Sequence, residues 1–367
     1  DETLLGEVIT ITSLAALLMA LPAGYLSDLF GRKRALIFST LLAALSVAGV
    51  VFWPGREMLY AMALLSGAGQ SLWAVTMAPF LMENSSEKER TYLFSFGSGI
   101  QMASGFVGNW LGGYLPTWVA GWRGISPTTA PAYQGALLLV GGLYLLGLVP
   151  LFLLKLSAVN RSRQDTFAPI LYARQHPRLL GKLILPMLIT SIGAGLIMPF
   201  MNVFFRVVHH QPDPVIGSLF AWGSLAMGVG LLIAPPLAER FGKIQVVVVT
   251  QALSIPFLIT LGFAPWFWLS AAAYYVRLAL MNMSTPVYQT FVMEHVDASA
   301  RATVSSLVSI AWNFGWVLSP TVSGWLQVRY GFGPPFVGTI TLYIIAITLY
   351  WVFFWKEEPG KASKAAH

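Results

Sequence analysis

Cysteine is absent from this chain, and charge is scarce: only 10% of its 367 residues are Asp, Glu, Lys or Arg. The first absence rules out disulfide frameworks and thiolate metal sites. The second, beside 56% hydrophobic residues and a mean hydropathy of +0.68, argues against a soluble domain, in which about 25% of residues are charged. The first ten residues, DETLLGEVIT, hold three acids and no base, so no cleavable secretory signal is expected there. Histidine is also sparse. His176, His209, His210, His295 and His367 fall in expected loops or ends. With no metal or nucleophile constellation around them, an enzyme, a bound metal and a resident cofactor are not expected. The His209–His210 pair beside Pro212 reads as a solvated loop.

What the chain does have is apolar runs. LIFSTLLAALSVAGVVFW, residues 36–53, is 18 residues without a charge, close to the ~20 that cross a bilayer as a helix. Inside lipid the backbone must satisfy its own hydrogen bonds, which leaves helices or closed barrels. Unbroken runs rather than alternation select helices. Eleven spans are expected, at 5–26, 35–53, 57–82, 91–115, 133–154, 182–207, 216–238, 244–263, 266–293, 302–327 and 334–355. The fold class is therefore an all-α polytopic membrane bundle. Its lobes are 1–154 and 182–355, joined by a polar loop at 155–181 and followed by a tail at 356–367.

Lys and Arg set the orientation. If the spans alternate, 17 of the 22 basic residues fall on one side, in the connections and the tail; Arg56, Arg123, Arg206 and Arg329 fall on the other, and Arg277 lies within a span. That bias makes the loop at 155–181 and the tail cytoplasmic, in a multi-pass plasma-membrane protein. The basic surplus then reflects topology and lipid headgroups, and nucleic acid is not an expected partner.

One offset recurs along the chain. Asp28 and Glu239 lie 211 apart, as do Gly31 and Gly242, Glu83 and Glu294, Arg90 and Arg301, Gly113 and Gly324, and Gly6 and Gly217. The halves read as two copies of one helical unit, the parallel repeat seen in many secondary transporters. Shifted back by 211, the run at 182–207 falls before residue 1. Twelve spans are therefore expected, of which the first is missing here, and the visible ones are the second to the twelfth.

Between the first two visible spans stands Gly24-Tyr25-Leu26-Ser27-Asp28-Leu29-Phe30-Gly31-Arg32-Lys33. It resembles the loop signature G-x-L-x-D-x-x-G-R-K of the major facilitator superfamily at all six specified positions. The stretch Leu237-Ala238-Glu239-Arg240-Phe241-Gly242-Lys243 is a degenerate second copy. The resemblance implies two six-helix lobes that rock to give alternating access. It also implies an inner gate: Asp28 facing the start of the eleventh span near 298–302, Glu239 facing the start of the fifth near 88–92, Arg32 paired with Glu83, Arg240 or Lys243 with Glu294, and Arg90 and Arg301 joining these networks. Gly108-Asn109-Trp110-Leu111-Gly112-Gly113 resembles the G-P-x-x-G-G signature of that family's antiporters, with Asn109 in place of Pro.

Transporter sites lie near the midplane. The side chains nearest it are Gln70, Trp73, Gln101, Tyr275, Arg277, Asn282, Trp312 and Asn313, with Asn202 further out. A single amide often only joins helices; several at one depth suit a solute site. Arg277 is the sharpest clue, because an Arg in mid-span costs at least ~2.5–3.5 kcal/mol unless paired or hydrated. It lies eleven residues from Trp266, or ~16 Å at 1.5 Å per residue, a long reach for snorkelling. Its partner is an acid on the missing span, an anionic substrate, or water and carbonyls in the cavity. The expected function is secondary transport of a small organic solute by a monomer, with membrane lipids as partners and a proton or cation as a possible coupling ion. Export is the first reading. Import or uniport of a sugar-like or anionic metabolite, lysolipid movement, and a non-transporting membrane sensor are the alternatives.

Overall fold

The computed structural model describes residues 2–84, 87–154, 176–296 and 301–356, and every regular element among them is helical. In chain order these are α1 (Glu2–Phe30), α2 (Arg32–Phe52), α3 (Arg56–Glu83), α4 (Glu87–Arg123), α5 (Ala130–Leu153) and α6 (Pro177–Ile197). A 3-10 turn (Met198–Phe200) leads into α7 (Met201–Val207), followed by α8 (Asp213–Phe241), α9 (Lys243–Phe263), α10 (Phe267–Glu294), α11 (Arg301–Tyr330) and α12 (Gly333–Phe354).

All eleven expected spans appear, with two differences. The expected end of the fifth span near 115 is overtaken by α4, which runs on through Pro116 to Arg123; membrane helices tolerate a proline when neighbours satisfy the freed carbonyl. The expected single span at 182–207 is interrupted by the 3-10 turn at Met198–Phe200. Pro199 has no N–H to give to the turn before it, so α-helical bonding lapses there. Among the described residues, eight helical segments are long and apolar enough to cross a membrane by composition. The long helices α4, α10 and α11 are not among them, and these three carry Gln101, Arg277, Asn282 and Asn313.

The chain forms two compact units: Leu4–Thr166 with Pro212–Ala221, and Asp1–Thr3 with Phe167–Gln211 and Trp222–His367. In the first, α2 packs on α3 and α5, and α4 on α3 and α5; in the second, α9 packs on α10 and α12, and α11 on α10 and α12. Each pairing maps onto the other by the 211-residue offset, so the sequence repeat is also a repeat of packing. The glycine pairs of that repeat now have a reason. A Cβ on Gly113 would come within 2.8 Å of the Gly217 Cα, inside the first unit, and one on Gly324 within 3.0 Å of the Thr3 Cα, inside the second. Small residues allow such close backbone approach.

Gly31 and Gly242 each join two helices as single-residue turns, at φ 89°, ψ 147° and φ 92°, ψ 149°. That region is nearly closed to residues with a Cβ. Gly31→Ala should therefore lower the thermal midpoint of the detergent-solubilised protein, at a strain of about 1–3 kcal/mol. Gly55→Ala is the control: Gly55 caps α3 at φ −126° with open space around its Cα, and its midpoint should not move.

Candidate functional site

The loop signature ties together one end of the first unit. Ser27, fully buried, accepts hydrogen bonds from Arg32 Nη1 at 2.7 Å and from Thr76 Oγ1 at 3.0 Å, joining α1, α2 and α3. Lys33 Nζ donates to the Phe152 and Leu154 carbonyls, both at 2.7 Å. These close the end of α5, where exposed carbonyls favour a cation. Three bases in the first turn of α2 oppose that helix's own dipole, and these contacts give two of them a use elsewhere. In the second copy Glu239 and Arg240 are exposed, with the Arg240 guanidinium 5.2 Å from the centre of the Phe241 ring. Lys243 is half-buried and has a partner. The side chains of Asp28, Glu83, Arg90, Glu294 and Arg301 lie outside the described residues, as does the segment 297–300.

At mid-span the expected residues separate into two kinds. In the first unit Gln70 and Gln101 are exposed, Trp73 is 41% exposed, and the Gln70 amide donates to Ser66 Oγ at 3.1 Å. In the second, Asn202 and Asn313 are exposed, Trp312 is 37% exposed, and Tyr275 and Asn282 are half-buried; the Asn282 amide donates to the Leu278 carbonyl at 2.8 Å. Arg277 is different. It is 1% exposed. Its Nη2 donates to the Tyr343 hydroxyl at 3.2 Å and its Nη1 meets Met198 Sδ at 3.5 Å. The guanidinium carbon lies 5.6 Å from the centre of the Tyr343 ring, and Nε has no partner.

Several polar contacts were not anticipated from sequence. Glu7, Arg56 and Tyr60 form a network in which Arg56 Nη2 reaches Glu7 Oε2 at 2.8 Å and Arg56 Nε reaches the Tyr60 hydroxyl at 2.6 Å. The Tyr60 hydroxyl also donates to Glu7. Arg56 and Tyr60 are four apart on one helix, a spacing that signals contact; Glu7 on another helix gives no such sign. Gln251 donates to Ser284 Oγ at 3.1 Å between α9 and α10. His209 is packed edge-on against Phe204 and Phe267 and beside Phe205. Burial, and then the neighbouring His210, push its imidazole pKa down. Among the described residues no group of three or more metal-binding side chains comes together.

The Major Facilitator Superfamily model matches residues 1–212 and again 183–367. The chain belongs to the major facilitator superfamily. Among curated relatives, the multidrug resistance protein MdtG of Proteus mirabilis is 22% identical over 95% of this chain and 85% of its own length. The class H tetracycline resistance protein of Pasteurella multocida is 25% identical over 95% and 90%. Among solved structures, an inward-facing, unoccupied bacterial homologue of the human lysosomal transporter Spinster superposes with a TM-score of 0.78 at 14% identity, covering 96% of this chain and 89% of that one. The nucleoside transporter NupG superposes at 0.75 and 14%, covering 96% and 91%. A D-xylose–proton symporter does so at 0.72 and 16%, covering 96% and 88%.

As a member of that family the chain is a multi-pass, non-catalytic transporter of small molecules, driven by secondary active transport. Its lack of cysteine makes its orientation easy to test. Asn84→Cys and Thr128→Cys place single thiols at exposed positions on opposite sides of α4. In sealed right-side-out vesicles a membrane-impermeant maleimide should label position 128 and spare position 84. The reverse pattern would invert the topology.

Proposed function

We propose that the chain carries an uncharged, hydrogen-bonding organic solute of about sugar or nucleoside size into the cell. One observation carries this reading: of the polar and aromatic side chains expected to line the solute path, the exposed ones are amides and indoles, and the Tyr275 phenol is half-buried. Gln70, Gln101, Asn202 and Asn313 are exposed amides, Trp73 and Trp312 are exposed indoles, and Tyr275 is half-buried. An amide facing hydrocarbon loses its hydrogen bonds at a cost of several kcal/mol, so these groups are best explained by a hydrated path. Flat aromatic faces beside amide donors and acceptors suit a ring that bears hydroxyls or ring nitrogens. None of these groups carries a charge, whereas Arg277, a basic residue within a span of the second unit, is enclosed. The names of two structural neighbours, a nucleoside transporter and a xylose symporter, support uptake of such a solute.

Export is the second reading, favoured by the resistance proteins among the curated relatives. The antiporter-like stretch in α4 adds little to it. Of its glycines, Gly113 is held by a close helix approach, while a Cβ on Gly108 or Gly112 would meet nothing.

Flux into proteoliposomes tests both readings, using radiolabelled pentoses, hexoses and nucleosides on one arm and a fluorescent organic cation on the other. Saturable uptake of a neutral solute is expected. Gln101→Leu and Trp312→Ala should each reduce it about tenfold, which corresponds to losing one contact worth about 1.4 kcal/mol, without altering the thermal midpoint. Saturable extrusion of the cation with no neutral flux would establish export instead.

A further inference from the structure

We propose that the second unit binds a small inorganic anion of about chloride size at Arg277, in a site enclosed by α10, α12 and the break between α6 and α7. The proposal does not depend on which solute is carried. A guanidinium stays protonated in any protein environment, so the charge at Arg277 cannot be removed by shifting a proton. Burying it demands an opposite charge or a full set of acceptors. Neither is present: among the described residues no carboxylate lies within ion-pair distance of it. Of its five N–H donors, Nη2 meets a phenol at 3.2 Å, Nη1 meets only a thioether at 3.5 Å, and the buried Nε meets nothing.

The surroundings also hold groups able to donate. Tyr343 receives a hydrogen bond from Arg277 through its oxygen, which leaves its own hydroxyl proton to give. Tyr274, 7% exposed, stands three residues before Arg277 on α10 and so on the same helix face. A buried cation with an unmet N–H, beside a phenol whose proton is still to give, is an arrangement that an anion completes. Because the guanidinium is only 1% exposed, the anion proposed for it is small and unattached.

The repeat shows that the fold does not require this cluster. Moved back by 211, Tyr274, Arg277 and Tyr343 fall on Ala63, Ser66 and Ala132. The helices pack in the same pairs in both units, yet one unit fills these positions with small residues and the other with a cation and two phenols. Packing alone would not select the costlier set. Met198, the remaining contact, caps α6 where the helix breaks, so a bound anion would hold that broken end to α10 and α12.

The test is thermal unfolding of the purified full-length chain in detergent, with sodium chloride, sodium bromide or sodium gluconate at constant ionic strength and no solute present. Chloride and bromide should raise the midpoint saturably, as a ligand of the native state does, and the much bulkier gluconate should not. Arg277→Gln should abolish the halide response, and Tyr343→Phe should raise the half-saturating concentration about tenfold. Superimposable chloride and gluconate curves for the unmodified protein would overturn the site, as would an unchanged halide response in Arg277→Gln. If Arg277→Gln does not fold, Tyr343→Phe decides, and an unchanged half-saturation then overturns it.

Discussion

A hydrocarbon interior offers no hydrogen-bond partner, and this one fact governs almost every polar contact in the protein. It makes the spans helical, and it dictates what their hydroxyl groups do. Thr190, Ser218, Thr260, Thr290 and Thr339 each donate to the carbonyl four residues earlier, and in all five that carbonyl belongs to a proline. Bonding back to a carbonyl one turn earlier satisfies the hydroxyl within its own helix, where lipid offers no partner. The break after α6 follows the same rule. Ser323 and Thr339, from α11 and α12, donate to the Leu196 and Gly193 carbonyls near the end of that helix.

The two units share a packing plan and differ in chemistry. Lys33 caps α5, but its counterpart at 244 is Ile, fully packed in the core of the second unit. That core includes large side chains such as Leu183, Phe291 and Phe354, and among the described residues of the first unit one cluster packs Ala23, Ala35 and Leu72. A duplicated scaffold is thus free to specialise wherever a side chain is not fixed by a turn or a close crossing. Gly31 and Gly242 have barely diverged in backbone angle, because nothing else fits their turns.

Much of the fold was legible in the sequence. Uncharged runs of helical length gave the spans, and the 211-residue offset gave the packing plan, because both are set by backbone length and by residues with no substitute. The extension of α4 past Pro116 and the break at Met198–Phe200 were not legible, since a proline in a membrane helix can either be absorbed or end the bonding, and its neighbours decide which. Of the site, depth could be read from position along each span. Whether a side chain at that depth faces water or the inside of its own unit could not. Gln101 and Arg277 look alike as polar residues in mid-span; one is exposed and the other enclosed, because Tyr343 and Met198 come from distant parts of the chain. The bonds of Arg32 to Ser27 and of Lys33 to the end of α5 show a signature serving its own unit, which a local pattern does not reveal.

The single-residue turns at Gly31 and Gly242 also restrict motion. Two helices joined by one residue cannot slide past each other by a full turn, since the linker has no slack to take up 5.4 Å. At that end α1 with α2, and α8 with α9, must therefore tilt together as stiff levers. Any rearrangement in this protein has to swing these pairs whole or bend them at points further along, where α1 carries Pro22 and α8 carries Pro235 and Pro236.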